Sequence, residues 1–192
     1  MTTAPGRPRD RRIDRAVLAA TADLLVEVGY ADLTIAAIAE RAGTTKPAIY
    51  RRWSGKADLV HEAAFPSDAD RVPVPATDSL ADDVRVMVAT VVRLFAAPVA
   101  RAAVPGLLAE FATDPALHGA LLGRFREGPM GHAHARLVDA VASGQARPDL
   151  DPVAAIDAIG GSVLLALLLR GDAPDDSWID GTAALLLKGM AA

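Results

Sequence analysis

The residues with the most chemistry to offer lie between positions 34 and 56. Thr34, Thr44, Thr45, Lys46, Tyr50, Arg51 and Lys56 supply hydroxyls, a phenol and cations, with the small Ala48 set among them. Hydroxyls and cations at this density suit phosphate oxygens and the edges of bases, where Thr and Tyr donate or accept single hydrogen bonds and Lys supplies a mobile charge. Arg51 is placed either to donate two hydrogen bonds to a guanine or to cap its own helix end. Catalytic groupings are harder to find. There is no cysteine, no Gly-x-Ser-x-Gly elbow, no His-Glu-x-x-His, and Gly55-Lys56 lacks the upstream glycine of a phosphate loop. No cofactor motif is present. His118, His132 and His134 with Asp114 or Glu110 are the one imaginable metal set, but on a helix His-x-His directs its rings apart, so no metal site is expected.

Holding such side chains outward requires a scaffold that turns their neighbours inward. Ile35, Ile38, Ala39 and Ala42 recur at i, i+3, i+4 and i+7, a helix that Thr34 can cap. Gly43 breaks it. Thr44 or Thr45 can cap a third helix, Pro47 is tolerated in its first turn, and Ile49 and Trp53 point in; the indole N–H of Trp53 needs a partner or water. Arg52 is a further candidate for the outward face. Upstream, Ile13, Val17, Thr21, Leu24, Leu25 and Val28 define a first helix that Gly29 ends. A fourth is expected over 56–65. Helix, glycine turn, helix, with Ala39 small enough for a close crossing, is the helix-turn-helix arrangement.

The run LTIAAIAERAGTTKPAIYRRWSGKADLV, Leu33 to Val60, resembles the TetR family of transcriptional repressors: Thr-x-x-x-Ile-Ala, Ala-Gly, the Tyr50 region and Gly-Lys-x-x-Leu stand at that family's spacing. The resemblance implies that Thr34 contacts phosphate, that Thr45, Lys46 and Ala48 face bases, and that Tyr50 and Lys56 clamp the backbone. It also implies a double-stranded palindromic operator, a homodimer joined by the last two helices of each subunit, and a C-terminal pocket whose small-molecule effector releases the DNA. An activator of the same architecture is the alternative; a small-molecule-binding helical enzyme and a nonspecific DNA-binding protein are more distant ones.

Composition agrees with an all-α fold: 52% of the 192 residues are apolar, with Ala and Leu prominent, and only 4% are aromatic. The net charge of −4 conceals an asymmetry. Residues 1–60 hold ten basic against seven acidic side chains, leaving −7 for the rest, so a basic head sits on an acidic body. The expected organisation is a flexible basic arm over 1–12, with Arg7, Arg9, Arg11 and Arg12, a helix-turn-helix unit with its linking helix over 13–65, and a bundle of about five to six helices over 79–192 for sensing and dimerisation. In that bundle Ser79 caps one helix, Pro98 opens another reaching Phe111, Asp114-Pro115 starts one, and Asp151-Pro152 starts the very apolar stretch 153–169. Residues 115–144 read as one kinked helix or two, and Ser177 as the cap of a last helix through Leu187. The stretch 153–169 is short for a membrane span and carries Asp157, so it reads as a buried soluble helix. With 183–187 it is the expected dimer surface, Gly160, Gly161 and Ala166 permitting close approach of a partner helix. Met87, Val91, Phe95, Leu108, Phe111 and Phe125 are the candidates for an apolar effector pocket. With no secretory signal, a cytoplasmic protein is expected.

Overall fold

The computed structural model describes residues 11–66, 77, 79–127 and 129–192; the side chains at 124–127 and 129 fall outside this description. The first ten residues of the expected arm, with Arg7 and Arg9, also lie outside it, and so does the side chain of Phe125. Among the described residues the protein is ten helices and no strand: α1 (Arg11–Asp32), α2 (Ile35–Arg41), α3 (Lys46–Tyr50), α4 (Lys56–Ala64), α5 (Leu80–Ala96), α6 (Pro98–Thr113), α7 (Pro115–Glu127), α8 (Pro129–Ala142), α9 (Pro152–Arg170) and α10 (Asp176–Met190). Arg11 and Arg12 are the exposed start of α1 rather than the end of an arm.

Most helix ends sit where local chemistry requires them. Ser79 accepts from the Asp82 N–H, Asp114 from Ala116 and Leu117, and Asp151 from Val153, each occupying N–H groups that a first turn leaves unpaired. The last helix differs from expectation: Asp175, not Ser177, caps α10 by accepting from the Trp178 N–H, and the helix runs on to Met190. Residues 115–142 are two helices, α7 and α8. Between α5 and α6 the chain bends by 84° at Ala97. The following Pro98 disfavours the α conformation in the residue before it, and Ala97 is accordingly extended at φ −54°, ψ 135°.

Two cores form, and they do not divide at the boundary between the expected units. The first joins α1 to α4 with α6, through Val17, Leu25, Ile38, Ile49, Leu59 and Val60 on one side and Ala100, Ala103, Val104 and Leu107 on the other. The second joins α5, α8, α9 and α10 around Val84, Val88, Leu137, Ile159 and Val163. Helix α6 thus follows α5 in the chain but packs on the N-terminal unit. The small side chains of Ala100 and Ala103 let it lie close to α1. α9 is long and apolar enough to cross a bilayer by length and composition, yet it packs against α5, α8 and α10.

Gly29 and Gly43 make the turns of the N-terminal unit. Both have positive φ, 75° and 62°, a region costly for any side chain bearing Cβ. A Cβ on Gly43 would meet no atom within 4 Å, so Gly43→Ala costs backbone strain alone. Urea unfolding is expected to show a loss of about 1–2 kcal/mol, with the slope against urea unchanged.

Candidate nucleic-acid interface and a neighbouring cavity

The helix-turn-helix is closed from behind by its own small core. Ile38, Ala39, Ile49 and Trp53 are buried, and the turn is held by hydrogen bonds from the Gly43 N–H to Glu40 O (3.1 Å) and from the Thr44 N–H to Ala39 O (2.9 Å). The Trp53 indole finds its partner in Glu62, donating to Oε2 at 2.8 Å and tying α3 to α4.

Thr34 caps α2 by accepting from the Ala37 N–H at 3.2 Å, and Thr45 caps α3 by accepting from the Ala48 N–H at 3.4 Å. A hydroxyl that caps spends a lone pair and keeps its O–H, so both exposed threonines retain a donor for an outside acceptor. Lys46, Tyr50 and Arg51 are exposed beside them, Tyr50 by 55%. Thr44 lies in the turn, half-buried, and does not cap.

Three side chains depart from the expected roles. Ala48 is only 7% exposed and belongs to the buried side of α3, so it does not face outward. Arg52 is half-buried, paired with Asp14 of α1, and its Nη1 donates to the Ala48 carbonyl at 2.9 Å. Arg52 therefore caps the end of α3 and straps it to α1, which leaves the adjacent Arg51 outside. Lys56, expected to reach a DNA backbone, is turned inward: Nζ donates to the Tyr30 carbonyl at 3.0 Å and lies 4.3 Å from the centre of the Tyr30 ring. The end of α1 offers it both a carbonyl and a π face, and sequence spacing says nothing of a partner 26 residues away.

A second feature lies behind this unit. Helices α4 to α9 enclose a cavity of about 440 Å³, within the usual range for small-molecule sites. Met87, Val91, Phe95, Leu108 and Phe111 all line it, as does most of the neighbouring apolar surface of α5, α6 and α9. Its polar lining, His61, Thr90, His118 and Asp157, was not legible beforehand. Six helices converge there, and four of them, α4, α5, α7 and α9, contribute these groups through tertiary placement rather than through their own periodicity. His118 stacks on Phe111, ring centres 5.2 Å apart, and His132 and His134 are exposed on α8. Among the described residues no three His, Asp or Glu side chains are grouped to hold a metal.

Residues 17–63 match the family model described as bacterial regulatory proteins, tetR family, and residues 74–186 match that for the tetracyclin repressor-like C-terminal domain. The chain belongs to the TetR family of bacterial transcriptional regulators. Along its full length it is 33% identical to the HTH-type transcriptional regulator YdeS of Bacillus subtilis, covering 96% of that protein. Among solved structures, the TetR family regulator SCO0332 superposes with a TM-score of 0.69 at 26% identity over 94% of this chain and 99% of that one. The regulator FadR of Bacillus subtilis, solved with stearoyl-CoA, shares the fold at 15% identity, with a TM-score of 0.66 over 91% and 98% of the two chains. This TetR-family protein is thus a transcription regulator with a helix-turn-helix DNA-binding unit. The positions Thr34 to Lys56 fall inside the matched N-terminal segment, and the cavity-lining residues of α5 to α9 inside the matched C-terminal one.

Proposed function

We propose that the protein is a homodimeric repressor that leaves a palindromic operator when an apolar small molecule fills the cavity. The observation that carries this reading is the outward, polar strip of Thr45, Lys46, Tyr50 and Arg51 along the recognition helix, with Thr34 exposed at the start of α2, while the other side of the recognition helix is closed by Ala48, Ile49 and Trp53. Thr45 and Lys46 at the start of α3 reach base edges, Arg51 adds a bidentate donor, and Tyr50 and Thr34 hold phosphates. Lys56 stays on Tyr30, where it holds the start of α4 against the end of α1.

One five-residue helix reads few base pairs, so a two-fold pair of them gives the specificity a regulator needs. The surface for that pairing is the outer side of α9 and α10, where Leu165, Leu168, Leu169 and Leu185 are exposed. Ala166, expected among the contacts to a partner, is buried within the subunit instead. An apolar effector suits the lining of Met87, Val91, Phe95, Leu108 and Phe111, and the stearoyl-CoA held by FadR shows what a protein of this fold accommodates. Occupancy relieves DNA binding only if the ligand prefers the dimer whose recognition helices are out of register with the groove. Typical coupling of about 1–3 kcal/mol corresponds to roughly 5- to 150-fold.

Selection from a random duplex pool at near-physiological salt, with the wild type and Tyr50→Ala side by side, tests the DNA reading. The wild type is expected to enrich a palindrome with half-sites about one helical turn apart, and Tyr50→Ala to enrich it at least about tenfold less, the loss of a contact worth more than about 1.4 kcal/mol. No enrichment by the wild type would overturn sequence-specific recognition.

A further inference from the structure

The cavity and the DNA-binding unit share a wall. Helix α6 lines the cavity with Val104, Leu107, Leu108 and Phe111, while its other side packs on α1 and α4. On that other side sits Gly106, pressed against the ring of Tyr30 so closely that any Cβ at 106 would overlap it. Tyr30 follows the break in α1 at Gly29. Its hydroxyl donates to Glu110 Oε1 at 2.8 Å, one turn further along α6. Its carbonyl and ring hold Lys56, the first residue of α4. One side chain therefore meets the end of α1, the start of α4 and the middle of α6. Burial pushes the phenol well above the usual tyrosine range, and the hydrogen bond to Glu110 adds to this, so the hydroxyl remains a donor at any ordinary pH.

Two features make this contact sensitive to movement. There is no slack at Gly106, and in a filled interface even a methyl-sized displacement has to be taken up by shifting the neighbour. α6 is also weakened at this point, because Pro105 supplies no N–H to the carbonyl one turn before it.

We propose that Tyr30 is the positioning residue through which displacement of α6 reaches α1 and α4, and so the recognition helix. The proposal rests on the reading of the protein as a regulator whose cavity governs DNA binding. When the cavity wall moves, Tyr30 is driven off Gly106, the Glu110 hydrogen bond and the Lys56 contact are broken together, and the unit carrying Thr34 to Arg51 changes its set on the bundle.

Gly106→Ala imposes that displacement without a ligand. Hydrogen exchange of the full-length protein is expected to quicken by about tenfold or more in the last turns of α1 and the first turn of α4, with α9 and α10 unchanged. Affinity for the operator recovered by selection is expected to fall roughly 5- to 150-fold. The decisive comparison is the cycle with Tyr30→Gly: this removes both the ring and the Cβ that a methyl at 106 would overlap, so the double variant should match Tyr30→Gly alone within about threefold in both measurements. Additive losses, or exchange quickened equally in α5, α9 and α10, would overturn the proposal. Should Gly106→Ala yield no folded protein, recovery of folding in the double variant supports the contact and its absence counts against it. If the wild type selects no operator, the regulator reading fails while the exchange cycle still decides the role of Tyr30.

Discussion

Leu165→Asp is expected to convert the protein from dimer to monomer and to weaken operator binding by roughly 10²- to 10⁴-fold, the range set by losing one of two linked half-sites. Leu165, Leu168 and Leu169 occupy one side of α9 at i, i+3 and i+4, with exposures of 57%, 48% and 75%, and Leu185 of the adjacent α10 is 71% exposed. Leucines grouped this way on a free surface fit the partner contact proposed above. In a two-fold interface each substitution enters twice, so Leu165→Asp places two unpaired carboxylates in an apolar contact. Light scattering at micromolar concentration reads the mass, and titration against the selected duplex reads the affinity. Because Leu165 faces away from both cores, thermal unfolding of the monomer should remain cooperative. A variant that stays dimeric and binds DNA as the wild type does would place the interface elsewhere.

Asp83→Ala is expected to destabilise the protein by about 3–5 kcal/mol, the usual result of removing one member of a buried ion pair. For a chain of this size that lowers the calorimetric midpoint by roughly 10 °C. Asp83 is fully buried at the start of α5 and pairs with Arg136 of α8; Arg136 also donates to Gln145 Oε1 at 2.8 Å, and Asp83 accepts from the Thr77 N–H and hydroxyl at 2.9 Å each. The cluster joins the chain before α5, helix α8 and the turn after it. Truncating Asp83 leaves the guanidinium enclosed without its counter-charge. The double variant Asp83→Leu/Arg136→Met, apolar and of similar volume, is expected to recover more than half of the loss. If Asp83→Ala alone costs less than about 1 kcal/mol, water reaches Arg136 and the pair is effectively a surface one.

Much of the fold is legible in the chain because it is written within one or two helical turns. Thr34, Ser79, Asp114 and Asp151 mark helix starts through bonds to N–H groups two or three residues away, and Gly29 and Gly43 mark breaks through φ values that other residues resist. Where two local signals compete, that reading falters. Asp175 and Ser177 are both good caps, and the helix took the acid, whose carboxylate also meets the positive end of the helix dipole.

The strip proposed to face DNA divides along the same line. Thr45, Lys46, Tyr50 and Arg51 project outward as the phase of a short helix dictates once Ile49 and Trp53 turn in. Ala48 does not, being buried, and neither do Arg52 and Lys56, because each of these is claimed by a residue distant in sequence, Asp14 of α1 for Arg52 and Tyr30 for Lys56. The apolar members of the cavity were visible as large side chains ahead of the last helices, whereas His61, Thr90, His118 and Asp157 came to it from four different helices.

By itself the sequence determined the all-helical class, most helix ends, the helix-turn-helix with its outward polar groups, and the family, since all of these follow from periodicity and from contacts within a few residues. Only the tertiary structure decided that α6 belongs to the N-terminal core, that Arg52 and Lys56 turn inward, that Ala166 faces its own bundle, and that Tyr30 rests on Gly106. Those outcomes depend on which helices lie side by side, and packing between helices sums many weak contacts over long stretches of chain, a sum that no single stretch contains.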